Sequence, residues 1–352
     1  MKKSFGNFAF LTCMLFLVTL ACVTGADPGG TQTDQAASGT EPTDSPVPTT
    51  PIPTAVQHEM MPSELPAVRS GLAGDQDSSI TADQKRAPSG DRFTFGSFER
   101  PFNSGTMETY YPHIDILMTE FYQDDAWIYG VITVKGGESS RGLDGKYAFE
   151  IDLDVDGRGD WLILASQPSS TEWTTEGVEV WTDSNKDVGG AVPVNADTPP
   201  PGGDGFETLV FGRGVGDDPD LAWSRISPTD PNSVQIAAKA SLLGGDKAFM
   251  VGMWAGGEDL DPALFDINDH FTHDQAGSPL KEFEFYYPIK EISELDNACR
   301  MAIGFQPRGG EPGLCPLPPA AEREPDQPVS CPEQYVVCFV FGNQTVCYCN
   351  QP

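Results

Sequence analysis

Alternation of apolar and polar residues with a period of two begins at Phe93. Phe93, Phe95, Phe98 and Phe102 arrive together. Segments 113–121, 126–134, 147–153, 161–165, 177–181, 207–211, 233–240, 248–254 and 282–287 then each carry a strand pattern, divided by Gly, Asp and Asn. Helical periodicity is scarce; 262–265 has room for one turn. Strands in succession without helices between them imply an all-β fold, a single jelly-roll-like β-sandwich over 93–290. That length is enough for one hydrophobic core.

The flanks read differently. Residues 23–92 are rich in Thr, Pro, Ser, Gly and Asp with few large apolar side chains, which predicts a disordered tether. Residues 291–316 are expected to wrap off the sandwich and 317–330 to form a Pro/Glu-rich linker. The stretch 331–352 alternates, turns at Gly342-Asn343 and alternates back, the pattern of a small hairpin. At the other end, Lys2 and Lys3 precede an apolar run over 8–20 broken only by Thr12 and Thr19. That run is short for a membrane span and has the length of a signal-peptide core. Thr19-Leu20-Ala21-Cys22 resembles a lipoprotein box with Thr where Leu is usual, so 1–22 reads as an export signal with Cys22 as lipidation site. Ordinary cleavage near residues 24–26, with Cys22 discarded, is the alternative. The expected address is outside the cell, at its surface as a lipoprotein or secreted, with membrane contact only through the lipid.

Charge and cysteine usage sharpen that reading. A formal net charge of −31 argues against nucleic acid as a partner and makes a divalent cation a reasonable companion. Apart from Cys13 and Cys22, the cysteines all follow residue 298, without a Cys-x-x-Cys pair or a nearby His, which favours disulfides over metal. Cys299 and Cys315 are expected to pair; Cys331, Cys338, Cys347 and Cys349 would form two bridges of undetermined pairing that hold the hairpin.

The strongest chemical signal is Asp152-Leu153-Asp154-Val155-Asp156-Gly157-Arg158-Gly159-Asp160. Carboxylates at alternate positions followed by glycine allow a tight loop to aim several oxygens at one hard cation. Asp152, Asp154 and Asp156, the carbonyl of Arg158, and Asp160 are the expected calcium ligands. Ile163 stands where an EF-hand would close with Glu, and 161–164 is a strand, so the ion would be structural. Asp183, Asn185 and Asp187 form a shorter second loop that also contains Lys186, a pattern that suits a plain Asx-type turn as well as a metal site; Asp266 and Asn268, joined by His270 or Asp274, form a third. Arg158-Gly159-Asp160 spells an integrin-ligand tripeptide, but Asp160 is already assigned to the cation. His270 and His273 lack a third zinc ligand or a catalytic Glu, and there is no Gly-x-Ser-x-Gly elbow. Trp127, Trp161, Trp181 and Trp254 fall within strand patterns; Trp173 and Trp223 fall in loop-like sequence and are the candidate surface aromatics for a ligand.

Tyr111-Pro112-His113-Ile114-Asp115-Ile116, then Trp127-Ile128-Tyr129-Gly130-Val131, then Tyr147-Ala148-Phe149-Glu150-Ile151-Asp152 resemble the opening strands of family 9 carbohydrate-binding modules and sugar- or haem-binding DOMON domains. The likeness covers residues 106–165. The whole layout also resembles surface lipoproteins of filamentous bacteria such as the Chloroflexota. The resemblance implies an extracellular polysaccharide as partner; it assigns no binding residue and no axial haem ligand. The expected protein is a non-enzymatic, surface-tethered, calcium-stabilised sandwich that binds glycan. The alternatives are a glycosidase-like hydrolase with its carboxylates in the Asp-rich loops, and a structural envelope component.

Overall fold

The computed structural model describes residues 56–136, 143–186, 188, 205–257, 260–265, 271–280 and 288–316, and the backbone of 336–341 and 344–349. Twelve strands build two antiparallel sheets: β1 (Gly71–Gly74), β2 (Glu99–Arg100), β3 (Ile116–Gln123), β4 (Trp127–Val134), β5 (Lys146–Asp152), β6 (Trp161–Ser166), β7 (Val178–Thr182), β8 (Thr208–Phe211), β9 (Ala222–Ile226), β10 (Ser233–Lys239), β11 (Phe249–Gly256) and β12 (Leu295–Ile303). One sheet runs β1-β3-β4-β10-β9, the other β2-β12-β11-β5-β6-β7-β8. Their inner faces enclose the main core, so the all-β sandwich expected from the alternation is the fold. No helix among the described residues is long and apolar enough to cross a membrane.

β4 shows how the pattern works. Ile128, Ile132 and Val134 point into the core between the sheets, and Trp127 and Tyr129 point to the outer face. Gly130 belongs to the inward set because a Cβ there would lie 2.8 Å from the Phe149 ring; the sheets approach too closely for any side chain. The outward residues are nonetheless buried. A second apolar layer of Trp127, Tyr129, Trp223 and Ala237 covers the five-stranded sheet. A third, including Phe93, Phe98, Leu162, Phe206 and Trp254, covers the seven-stranded one.

Two expected boundaries move. The stretch read as tether contributes β1, which pairs with β3 from Gly71↔Phe121 to Gly74↔Met118. Ala73 reaches the core, and Ala87 is fully buried. Backbone pairing and short side chains suffice there, which is why a search for large apolar residues overlooks it. The stretch read as a wrap contributes β12, between β2 and β11. Its alternation is hidden because the register with β11 shifts between Val251 and Met253, and because Asp296, Asn297 and Arg300 interrupt the apolar series.

Cys299 and Cys315 form the expected disulfide. At the far end, Val336–Phe341 and Gln344–Cys349 pair antiparallel as the expected hairpin, with Cys338 the register partner of Cys347. Cys22, Cys331, the strand expected at 282–287, and the side chains of Cys338, Cys347 and Cys349 lie outside the described residues.

Candidate functional site

β5 and β7 both run antiparallel to β6, so both end at the same edge of the seven-stranded sheet. Asp152 closes β5 and Asp183 follows β7, and each carboxylate organises the loop after it. The Asp152 Oδ1 accepts the Val155 N–H at 2.7 Å and its Oδ2 the Gly157 N–H at 2.8 Å. The Asp183 Oδ1 accepts the Lys186 N–H at 2.7 Å and its Oδ2 the Val188 N–H at 3.0 Å. The two loops thus share one scheme, third and fifth residue onward. They also share a left-handed residue at the third place, Val155 (φ 64°) and Lys186 (φ 63°).

In the first loop the carboxylates of Asp152, Asp154 and Asp156 each offer an oxygen within 4.8 Å of the others, an arrangement that could hold a metal ion. Asp152 is buried, whereas Asp154 and Asp156 face solvent. Burial pushes the Asp152 carboxyl up to about 6, against the opposing pull of the Arg300 charge and the loop N–H groups. Arg158 donates its N–H to Asp156 at 2.9 Å. Asp160 stands outside the three-carboxylate cluster; its Oδ2 takes the Leu153 N–H at 2.7 Å, and burial raises its pKa. Lys186, from the second loop, reaches across: its Nζ lies 2.9 Å from Asp154 and 3.7 Å from Asp160. Lys186 is 60% exposed, so it can yield to a cation. Asp183 and Asn185 lie on the second loop, while Asp187, Asp266, Asn268 and His270 lie outside the described residues.

The tryptophans are a correction. Trp223, expected at the surface, is 2% exposed within β9 and donates its Nε1–H to the Asp220 carbonyl. Trp173 is half-buried, with the Arg225 guanidinium 4.3 Å from its ring centroid and its Nε1–H on the Ser63 carbonyl. The chain's own segment 58–65 closes over this aromatic face. The Asp220 carboxylate receives the N–H groups of Glu59 and Met60 at 2.7 and 2.8 Å and meets the His58 ring at 2.6 Å; Glu64 pairs with Arg225. The clue in the sequence was β4 itself, apolar in both phases and therefore covered on both faces.

On the outer side of the other sheet a cleft opens beside the first loop, lined by Phe95, Trp254, Phe265, Asn297, Arg300 and Pro312 among others. Phe95 is 57% exposed. Asn297 clips the cleft's rim, accepting the Phe98 N–H and donating to the Gly96 carbonyl, both at 2.8 Å. Arg300 links cleft to loop: one nitrogen donates to the Gly157 carbonyl and another to buried Glu150, each at 2.8 Å. The second Glu150 oxygen accepts the Trp254 Nε1–H. No carboxylate lines the cleft among the described residues. Sequence reading missed this site because its walls come from six segments spread over more than 200 positions.

Comparison with family models, curated proteins and solved structures finds no match to this chain.

Proposed function

We propose that this chain is an exported, surface-tethered binding module, a calcium-stabilised β-sandwich whose cleft receives a sugar unit of an extracellular polysaccharide. The observation that carries the reading is Arg300, which ties the acidic loop through Gly157 to the cleft beside Phe95 and Trp254. An ion bound by Asp152, Asp154 and Asp156 would hold the Gly157 carbonyl in place, and with it the guanidinium. All-oxygen, carboxylate-rich donors select a hard cation, and calcium suits an irregular loop of this kind. An aromatic face next to an amide and a guanidinium offers stacking and hydroxyl recognition together. Lys2, Lys3, the apolar run over 8–20 and Cys22 support the address. Among the described residues no carboxylate lines the cleft, which favours binding over carboxylate-pair hydrolysis.

Titration of the full chain against a panel of soluble polysaccharides tests this. A ligand should be found, and Phe95→Ala should bind it about 2- to 10-fold more weakly, the worth of one aromatic contact. The melting temperature should stay put, because Phe95 is largely exposed. Wild-type protein that binds no glycan, or that releases reducing sugar from the panel, overturns the proposal.

A further inference from the structure

Away from the loops, the edges of the two sheets meet at β1 and β3 on one side and β2 and β12 on the other. Four carboxylates converge there: Asp75 just after β1, Glu99 in β2, Asp115 just before β3, and Asp296 in β12. Glu99, Asp115 and Asp296 are at most 1% exposed. Asp75, Glu99 and Asp296 each offer an oxygen within 4.8 Å of the others.

Three of the four carboxylates are anchored through one oxygen. The Gln76 N–H donates to Asp75 Oδ1 at 2.9 Å, the Ile116 N–H to Asp296 Oδ2 at 2.7 Å, and the Ser78 hydroxyl to Glu99 Oε1 at 2.6 Å. Asp115 accepts the Tyr110 hydroxyl on Oδ2 and, at 3.5 Å, the Ser78 N–H on Oδ1. What these bonds leave over is informative. Asp75 Oδ2 and Asp296 Oδ1 are sealed from solvent with no hydrogen-bond partner among the described residues. No described Lys or Arg is ion-paired with any of the four; Lys135 is held nearby by Asp77 at 2.6 Å, and Arg100 pairs with Asp91. An orphaned buried acceptor keeps its desolvation cost, and two of them among four like charges is a cost that a folded protein offsets with a cation or with protons. Without a cation, burial raises the Asp75, Glu99 and Asp296 carboxyls far above the ordinary range and Asp115 to about 7.

We propose that Asp75, Glu99 and Asp296, with Asp115 beside them, form an enclosed site for a calcium ion that joins the edges of the two sheets. The donor set is entirely oxygen, which suits a hard cation such as calcium better than zinc. Oxygens on opposite sides of a calcium ion, each at about 2.4 Å, are about 4.8 Å apart, so three oxygens that all lie within 4.8 Å of one another are close enough to share one ion. The unsatisfied oxygens of Asp75 and Asp296 come from different sheets. The ion would therefore act as a staple, fastening β1 and the segment before it to the rest of the sandwich.

The test is the calcium content of the full chain after exchange into calcium-free buffer and re-equilibration with calcium. It is made in a D154N/D156N background, where two exposed substitutions silence the first loop. One calcium per chain should remain, and adding Asp296→Asn should remove it. Should Asp296→Asn fail to fold, Glu99→Gln gives the same readout. A D154N/D156N protein without calcium overturns the inference, showing that protons neutralise the cluster. A calcium count unchanged by a folded Asp296→Asn or Glu99→Gln variant overturns it too, because the ion then lies elsewhere.

Discussion

Arg100→Ala is expected to lower the stability of the sandwich by about 3–5 kcal/mol, the cost of leaving a buried charge without its partner. The Arg100 side chain is fully buried, and its guanidinium grips Asp91, itself 3% exposed, through Nε at 2.7 Å and Nη2 at 3.0 Å. The remaining N–H groups donate to the carbonyls of Ala276, Gly277 and Ile292. The ring centroids of Phe93 and Phe98 lie 6.0 and 5.7 Å from the guanidinium carbon. One substitution would strand a carboxylate and three carbonyls away from water. Arg100→Lys should recover little, because an ammonium cannot reproduce the planar fork. Lys85→Ala serves as the contrast: its pair with Glu108 is exposed on both sides, and its loss should leave the urea midpoint nearly unchanged. Urea titration measures all three. A loss under about 1 kcal/mol for Arg100→Ala would show that the network relaxes and that this account of the β2 junction is wrong.

Replacing Cys299 and Cys315 by serine together is expected to cost about 3 kcal/mol, the loop-closure value for a separation of 16 residues. For a domain of this size that corresponds to a melting temperature lower by about 6–12 °C. The effect should not stop at stability. Arg300 and Cys315 are tied by backbone bonds, Arg300 N–H to Gly313 and Cys315 N–H to Arg300. Pro312 packs on Gly157, where a Cβ would come within 2.5 Å of the proline ring. Without the bridge, the wall of the cleft that includes Pro312 and Gly313 loses its anchor. The double variant should therefore bind the module's ligand more weakly at temperatures where it is still folded. Unchanged melting in reducing and oxidising buffer would contradict this.

What was legible in the sequence follows the range of each signal. β4, β5 and β11 announce themselves because their apolar periodicity is local, and the first acidic loop does so because its ligand types fall within nine consecutive residues. Features made by distant partners leave no such mark. Trp223 looked like a loop residue because β9 is short and preceded by Asp217-Asp218-Pro219-Asp220; its burial depends on segment 58–65 folding back over it. β1 has almost no side-chain signal, and its place is set by pairing with β3. The carboxylate cluster at the sheet edges combines Asp75 with Asp296, more than 200 positions apart, and each alone reads as an ordinary turn or strand polar residue. The kinship of the two Asp-led loops lies between these cases. The spacing suggests it, but the shared backbone scheme, and Lys186 occupying the place of Val155, emerge only from the hydrogen bonds.

Calcium at the first loop is the claim on which the proposed function rests. Its most direct test is thermal melting of wild-type and D154N/D156N protein, each with saturating calcium and with a chelator. An ion held at about 100-fold above its dissociation constant adds about 2.7 kcal/mol. The wild-type protein should therefore gain about 5–10 °C more from calcium than the variant does. Equal gains in the two proteins would contradict a calcium ion held by Asp152, Asp154 and Asp156.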